Sequence, residues 1–295
     1  MQSVRESILR KVGHIGLRGA GRVIRQFAPK YSSPTAFKIP ALGLDSYSGD
    51  LSDDIDWHIF YFGSYGPWEL NFLADAARFL GEKSEAVNFY DIGANVGQHS
   101  LLMSARATSV FSFEPSKPTI QRFSKNVVSN NLRNVTLFNV ALADEDGELE
   151  LGSGFAGNTG SRSLNWSLPG KPTERVTVKH GARFFDDKSL PQMSLLKLDV
   201  EGHGKKVLTG LQARLLADRP IIMMELCGDK VKEGFTSGDD LRTTLYPNHK
   251  VMSLKPHGKA YRLVEFDWEC ECVIVIPDEF ASSVESNEFR NAKPR

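Results

Sequence analysis

No apolar run in this sequence approaches the ~20 residues that a membrane-spanning helix requires. Cysteine is scarce: Cys227, Cys270 and Cys272 supply no disulfide framework, and the C-x-C at 270–272 lacks the second pair that zinc spacing needs. Cys270 and Cys272 read as packing residues on one face of a strand, in a chain suited to a reducing cytoplasm. Net charge is missing too, with 36 basic residues against 36 acidic ones. That balance argues against the broad basic face of a nucleic-acid enzyme, and no nucleic-acid partner is expected. No G-x-x-x-x-G-K-[ST] occurs, which excludes a P-loop. Internal repeats are also lacking. What remains is an ordinary globular composition, and 295 residues suffice for one main domain plus a flanking segment.

Acid is nearly absent from residues 1–30. Arg5, Arg10, Lys11, Arg18, Arg22, Arg25 and Lys30 face a single carboxylate, Glu6, with Val4, Ile8, Val12, Ile15, Val23 and Ile24 between them. The segment reads as a basic amphipathic stretch in peripheral contact with an anionic membrane or holding a partner through its basic patch, or as a terminal arm lying against the main domain. The Arg-rich, acid-poor composition also has a transit-peptide look, though Gly13, Gly16, Gly19 and Gly21 weaken any continuous helix. The terminal arm is preferred, on the general tendency of chain termini to vary. Residues 31–66, rich in Tyr, Ser, Gly and Asp, read as irregular. The expected organisation is a basic arm and irregular extension over 1–55, a main domain over 56–280 and a polar tail over 281–295.

From Pro67 a rhythm sets in. Pro67 suits a first helical turn, Leu70, Leu73, Ala74, Ala77 and Leu80 recur at helical spacing, and Gly81 is expected to end the helix. Strands over 87–92, 109–113 and 135–140 then alternate with helices over 97–105 and 117–131. Further strands follow at 195–200 and 220–226 around a helix over 205–217, then a helix over 239–245 and closing strands at 250–254, 261–266 and 272–276. Such alternation predicts a parallel sheet covered on both faces. The stretch 144–194 interrupts it with extra strands at 147–151 and 175–179 around a long loop, 152–170. That loop, with Trp166, reads as a substrate cover.

The strongest local signal is Asp91-Ile92-Gly93-Ala94-Asn95-Val96-Gly97, between a buried strand and a helix. Glycines here allow a sharp turn and close approach of a ligand. Asp91, at the carboxyl end of the strand, is a candidate for receiving the ammonium of an amino-acid-bearing ligand. Glu114 follows by 23 residues in Phe113-Glu114-Pro115, where a ribose diol is bound in nucleoside-cofactor folds. The turn is a weak dinucleotide cradle, since Asn95 and Gln98 stand where G-x-G-x-x-G has glycine.

Further on, alternation along 195–201 puts Lys197, Asp199 and Glu201 on one side of the strand. Asp199 reads as a residue that orients the acceptor or takes its proton, against a plain salt bridge to Lys197. His203 is a candidate base, against a helix-start histidine. Glu225 closes the next strand and can approach the same crevice. Asp199, Glu201 and Glu225 suggest a divalent-metal set, but no metal is expected.

Taken in order, Gly66-Pro67-Trp68-Glu69, the turn at 91–97, Phe113-Glu114-Pro115, the run Leu196–His203, Val207-Leu208-x-Gly210 and the strand ending in Glu225 resemble the FkbM family of methyltransferases, over roughly residues 56–227. The resemblance implies a Rossmann-like α/β class I methyltransferase fold, a seven-stranded, mostly parallel sheet with helices on both faces and an antiparallel last strand. It implies S-adenosyl-L-methionine as cofactor. The implied chemistry is O-methylation of a hydroxyl-bearing small molecule, such as a saccharide or natural product. Carried over, Gly93, Asn95 and Gly97 line the methionine moiety, Glu114 holds the ribose, and Val140, Ala141 and Leu142 flank adenine with Asp144 in reach. Asp199, Glu201 and His203 fall to the catalytic side. The chain departs from the family pattern at Gly204, where glutamate is usual, and over 182–187. A nucleotide- or NAD-binding enzyme and a non-catalytic binding protein on the same fold are the competing readings.

Overall fold

The structure, a computed structural model, describes residues 4–15, 19–152, 162–164, 170–226 and 234–285. Trp166 and Cys227 lie outside them. Two helices come first, α1 (Val4–Ile15) and α2 (Ala20–Phe27), followed by the strands β1 (Ala36–Ala41) and β2 (Leu44–Asp50) and the helix α3 (Asp54–Phe62). The region expected to be irregular is therefore regular. β1 and β2 form an antiparallel hairpin with Phe37 and Ile39 of β1 and Leu44 and Tyr47 of β2 buried, its register shifted between Ile39 and Ala41. The Asp53 carboxylate starts α3 by accepting from the Ile55 and Asp56 amides, as helix-capping acids do. The expected boundary between 55 and 56 falls inside α3.

Next come α4 (Pro67–Lys83), β3 (Asn88–Ile92), α5 (Gln98–Met103), β4 (Ser109–Phe113), α6 (Lys117–Ser129) and β5 (Val135–Phe138). α4 runs through Gly81 and is capped at Ser84; packing of Ala77, Phe79 and Leu80 in the core outweighs the weak helix propensity of one glycine. A small three-stranded sheet follows from β6 (Ala141–Ala143), β7 (Gly147–Leu151) and β8 (Glu174–His180). Then come α7 (Gly181–Asp187), β9 (Leu195–Leu198), α8 (Gly204–Gly210), α9 (Gln212–Asp218) and β10 (Ile221–Glu225). The helix expected over 205–217 is thus two, joined at the fully buried Leu211. α10 (Gly238–Thr244), β11 (His249–His257), β12 (Ala260–Glu265), β13 (Cys272–Pro277) and α11 (Asp278–Glu285) complete the chain. Cys272 opens β13 and is buried, whereas Cys270 precedes the strand.

The main sheet has eight strands in the order β12-β11-β13-β10-β9-β3-β4-β5. β10, β9, β3, β4 and β5 are parallel, and β13 is inserted antiparallel between β10 and β11. This is the Rossmann-like methyltransferase sheet, with β12 added at one edge as the hairpin partner of β11. Period-two alternation sends Tyr90, Ile92, Leu196, Leu198, Ile222 and Met224 to one face, among α7, α8, α9 and α10. Phe89, Leu195, Ile221 and Met223 go to the other, among α4 and its neighbours. A third cluster joins the N-terminal hairpin and α3 to Ala94, Leu101 and Phe123, directly behind the glycine turn. Each large apolar side chain so buried contributes roughly 1.5–3 kcal/mol.

Candidate active site

Strand order reverses at β3: β4 lies on one side of it and β9 on the other. Open α/β sheets bind ligands at the carboxyl ends of the strands flanking such a point. A cleft partly open to solvent lies there. Its walls come from Ile92–Val96 after β3, Phe113–Pro115 after β4, Val140–Leu142 after β5, Asp199–Glu201 and His203 after β9, and Glu225 ending β10.

The glycine turn is fixed by the main chain. The Gly93 and Ala94 amides both donate to the Phe113 carbonyl, at 3.0 and 2.9 Å. Gly93 has φ 80°, and a Cβ there would stand 1.7 Å from the Asp199 carbonyl oxygen, so only glycine lets the ends of β3 and β9 meet. Glu114 reaches back across this turn. Its Oε2 accepts from the Asn95 amide at 2.9 Å and its Oε1 from the Ser116 amide at 2.8 Å. On the far wall the Tyr65 amide donates to Gln98 Oε1 at 2.6 Å and the Gln98 amide group donates to the Tyr65 carbonyl at 2.9 Å. His99 Nε2 lies 3.5 Å from Glu69 Oε2.

A family model described as the methyltransferase FkbM domain matches residues 91–262. The chain belongs to the FkbM methyltransferase family. Hexuronic acid methyltransferase AglP of Haloferax volcanii is similar, 27% identical over 139 residues, which are 46% of this chain and 55% of that one. Methyltransferase 1 of Beauveria bassiana is 26% identical over 160 residues, 48% of this chain and 64% of its own. The chain thus spans between half and two thirds of the length of these relatives. The crystal structure of a methyltransferase FkbM from Methylobacillus flagellatus KT is similar at 14% identity and a TM-score of 0.44, covering 65% of this chain and 44% of that one.

Within this FkbM-family cleft, Gly93, Asn95, Glu114, Ala141, Asp199, Glu201 and His203 come together as lining residues. Asp91, Gly97 and Asp144 do not line it. Asp91 is fully buried, and its Cα pairs across the sheet with Lys197 on one side and Ser112 on the other. Alternation therefore turns it toward α5, where Ser100 Oγ donates to its Oδ2 at 2.6 Å and Lys197 Nζ lies 3.5 Å from its Oδ1. The ammonium expected at Asp91 is thus a lysine of the chain itself. Gly97 has φ 85°, and a Cβ would meet the Phe123 ring at 2.3 Å, so its place is structural. Asp144 is exposed, beyond the lining.

Lys197 Nζ also donates to the Gly93 carbonyl at 2.8 Å and pairs with Asp199 Oδ2 at 3.2 Å. Burial works to lower its pKa, but Asp199, Asp91 and Glu225 outweigh it and hold the ammonium above the ordinary lysine value. Asp199 is the largest influence raising the Glu225 carboxyl well above the usual range, with burial second; Glu225 is wetted by the open cleft yet surrounded by protein at longer range. Burial pushes Glu114 up to about 7 against the two amide bonds that favour its charge. His203 is buried at the N-cap position of α8, and burial, with Lys206, lowers it to about 4. It is neutral near pH 7 and weakly basic, which departs from the expected general base. Glu201 sits at φ 51°, a left-handed conformation unusual for a non-glycine residue, and its carbonyl accepts from Ser163 Oγ at 2.6 Å.

The short segment 162–164 is the described part of the expected cover. Arg162 pairs with Glu174 at 3.1 Å and bonds Ser116 Oγ, and Leu164 lines the cleft beside Ala141. Tyr65, Glu69, Gln98, His99 and Arg162 were not foreseen as site residues; Gln98 had registered only as a missing glycine. Among the described residues five carboxylates (Glu69, Glu114, Asp199, Glu201 and Glu225) line the cleft against two cations, Lys197 and Arg162. With Glu225 raised well above the usual range and Glu114 at about 7, the negative surplus is smaller than that count but keeps its sign, which suits a cationic ligand. Among the described residues no three His, Cys, Asp or Glu groups gather in a way that holds a metal ion, and no helix is long and apolar enough to cross a membrane.

Proposed function

We propose that the protein transfers a methyl group from S-adenosyl-L-methionine to a hydroxyl of a sugar or similar small polyol. The observation that carries this reading is Glu114: a buried carboxylate at the end of β4, presented to the cleft beside the turn after β3 and raised to about 7. A vicinal diol donates two hydrogen bonds and relieves that burial cost. The acid surplus suits a sulfonium and an ammonium, so the residues present fit this cofactor. Asn95, Gly93 and Glu114 would hold its methionine and ribose parts, with Ala141 and its neighbours against the adenine and Asp144 at the rim. When bound, the cofactor supplies a methyl group on a positively charged sulfur.

Asp199 is fixed by Lys197 at the junction of the two halves, in place to accept a hydrogen bond from the acceptor hydroxyl and take its proton. Glu225, held protonated in larger part than an ordinary glutamate, donates to a second acceptor oxygen. Glu201 and neutral His203 shape the wall beside them. Positioning of acceptor against methyl supplies most of the rate, since effective molarities of well-oriented groups reach about 10⁵–10⁸ M. The name of the Haloferax volcanii relative favours a saccharide acceptor. The acid-rich lining favours a neutral sugar over a hexuronate, and disfavours a phosphate backbone.

The test is turnover with S-adenosyl-L-methionine and a panel of neutral sugars, glycosides and hexuronates, read as S-adenosylhomocysteine released and mass gained by the acceptor. Release with a neutral sugar and a slower rate with the matching hexuronate is expected. Absence of cofactor binding by calorimetry would overturn the proposal.

A further inference from the structure

The helices α1 and α2 lie outside the cleft. They form an antiparallel pair: the Arg5 guanidinium, at the start of α1, donates to the Phe27 carbonyl at the end of α2 at 2.7 Å. Leu9, Ile24 and Ala28 turn inward onto the cluster behind the glycine turn. Exposed to solvent on the pair are Ile8, 57%, Ile15, 70%, Val23, 44%, and Phe27, 47%, four of the eight exposed large hydrophobic side chains among the described residues. Ile8 and Ile15 sit seven positions apart with Lys11 between them, one helical stripe, and Val23 and Phe27 sit four apart on the second. Lys11, Arg22, Arg25 and Lys30 are exposed among them. Glu6, the one acid of this segment, is buried and accepts from the Tyr31 hydroxyl.

A solvent-facing surface that mixes apolar side chains with cations and withholds its only carboxylate fits a definite chemistry. We infer that the α1–α2 pair docks on an anionic lipid bilayer, the four apolar side chains entering the interface while the cations meet the headgroups. Charge separates this occupant from a second copy of the chain, because self-association would bring the same cations together. The consequence for the enzyme is placement. α1 rests on α3, where His14 Nε2 lies 3.2 Å from the Phe60 carbonyl, and Ile55 of α3 and the nearby Tyr65 wall the cleft. Docking brings that wall toward the bilayer surface.

Vesicle co-sedimentation of the full chain tests this, using phosphatidylcholine alone and phosphatidylcholine with roughly a third phosphatidylglycerol. Binding to the anionic vesicles should be at least about tenfold stronger and should weaken as salt rises. Lys11→Glu/Arg22→Glu/Arg25→Glu should lose at least about tenfold, each cation near such a surface being worth about fivefold. Ile8→Ser/Ile15→Ser/Val23→Ser/Phe27→Ser should also bind more weakly while keeping its salt dependence. Val128→Ser/Leu149→Ser, which alters exposed apolar positions elsewhere, should bind like the wild type. All these side chains are exposed, and matching thermal melts verify that the variants fold. Equal wild-type binding to both vesicles, no binding to either, or full binding by both N-terminal variants overturns the inference.

Discussion

On the β3–β4 side of the cleft, position is set by the main chain: two amides on one carbonyl hold the turn, and two further amides hold Glu114. On the opposite side the lining groups are side chains from widely separated stretches: Tyr65, Glu69, His99, Asp199 and Glu225. A wall anchored by backbone bonds tolerates little substitution, because each change moves several neighbours at once. A wall made of side chains can be altered one group at a time. Under the proposed function, the first wall would hold the cofactor and the second would choose the acceptor, since loops and side chains are where specificity varies.

The sharpest way to break the contrast is Gly93→Ala. The added carbon clashes with the Asp199 carbonyl in a left-handed conformation, so a loss of about 3 kcal/mol or more in denaturant unfolding is expected, together with loss of cofactor binding. A wild-type unfolding curve would show that the two strand ends have room to part. Next in size, Glu114→Ala should weaken S-adenosylhomocysteine by roughly 10–100-fold in calorimetry, the value of a charge-assisted hydrogen bond. Asp199→Asn and Glu225→Gln should each lower kcat/KM by roughly tenfold or more, with cofactor affinity almost unchanged. If those two variants lose cofactor and keep turnover per bound enzyme, the division of labour is reversed.

A gentler probe is pH. Glu114 in the ligand-free protein titrates at about 7, and the charged form is the better acceptor for a diol. Below that value a proton must leave before binding. Affinity for S-adenosylhomocysteine should therefore fall about tenfold from about pH 8 to about pH 6, with one proton released on binding. Glu114→Gln should remove this dependence. A flat wild-type profile would separate Glu114 from the ligand.

The legible parts of the molecule are those where local pattern and final environment agree. β3, β4, β9 and β10 are short apolar runs because both faces of a central parallel strand are covered, and the turn between β3 and α5 announces itself by glycine. The hairpin β1–β2 was hidden because Lys38, Pro40, Asp45 and Ser48 dilute its few buried residues, and those of β2, Leu44 and Tyr47, stand three apart instead of two. Asp91 shows the limit differently. Its place at a strand end is readable, but its direction follows from register against Lys197 and Ser112, which only the assembled sheet defines. The Glu69–His99 contact and the Tyr65–Gln98 clamp join residues about thirty positions apart through side-chain geometry, for which no short pattern exists.

Asp53 and Asp56 of the N-terminal half both pair with Arg122 of α6, and Tyr47 bonds the same Asp56. That buried knot lies outside the family-matched stretch on three of its four members. A shortened chain beginning at Asp91 would keep Arg122 while losing both of its carboxylate partners, and would strip Phe123 and Ala94 of their apolar cover. Stability of the family-matched stretch is thereby tied to residues ahead of it, and a chain cut at Asp91 should melt at a lower temperature than one that keeps the hairpin.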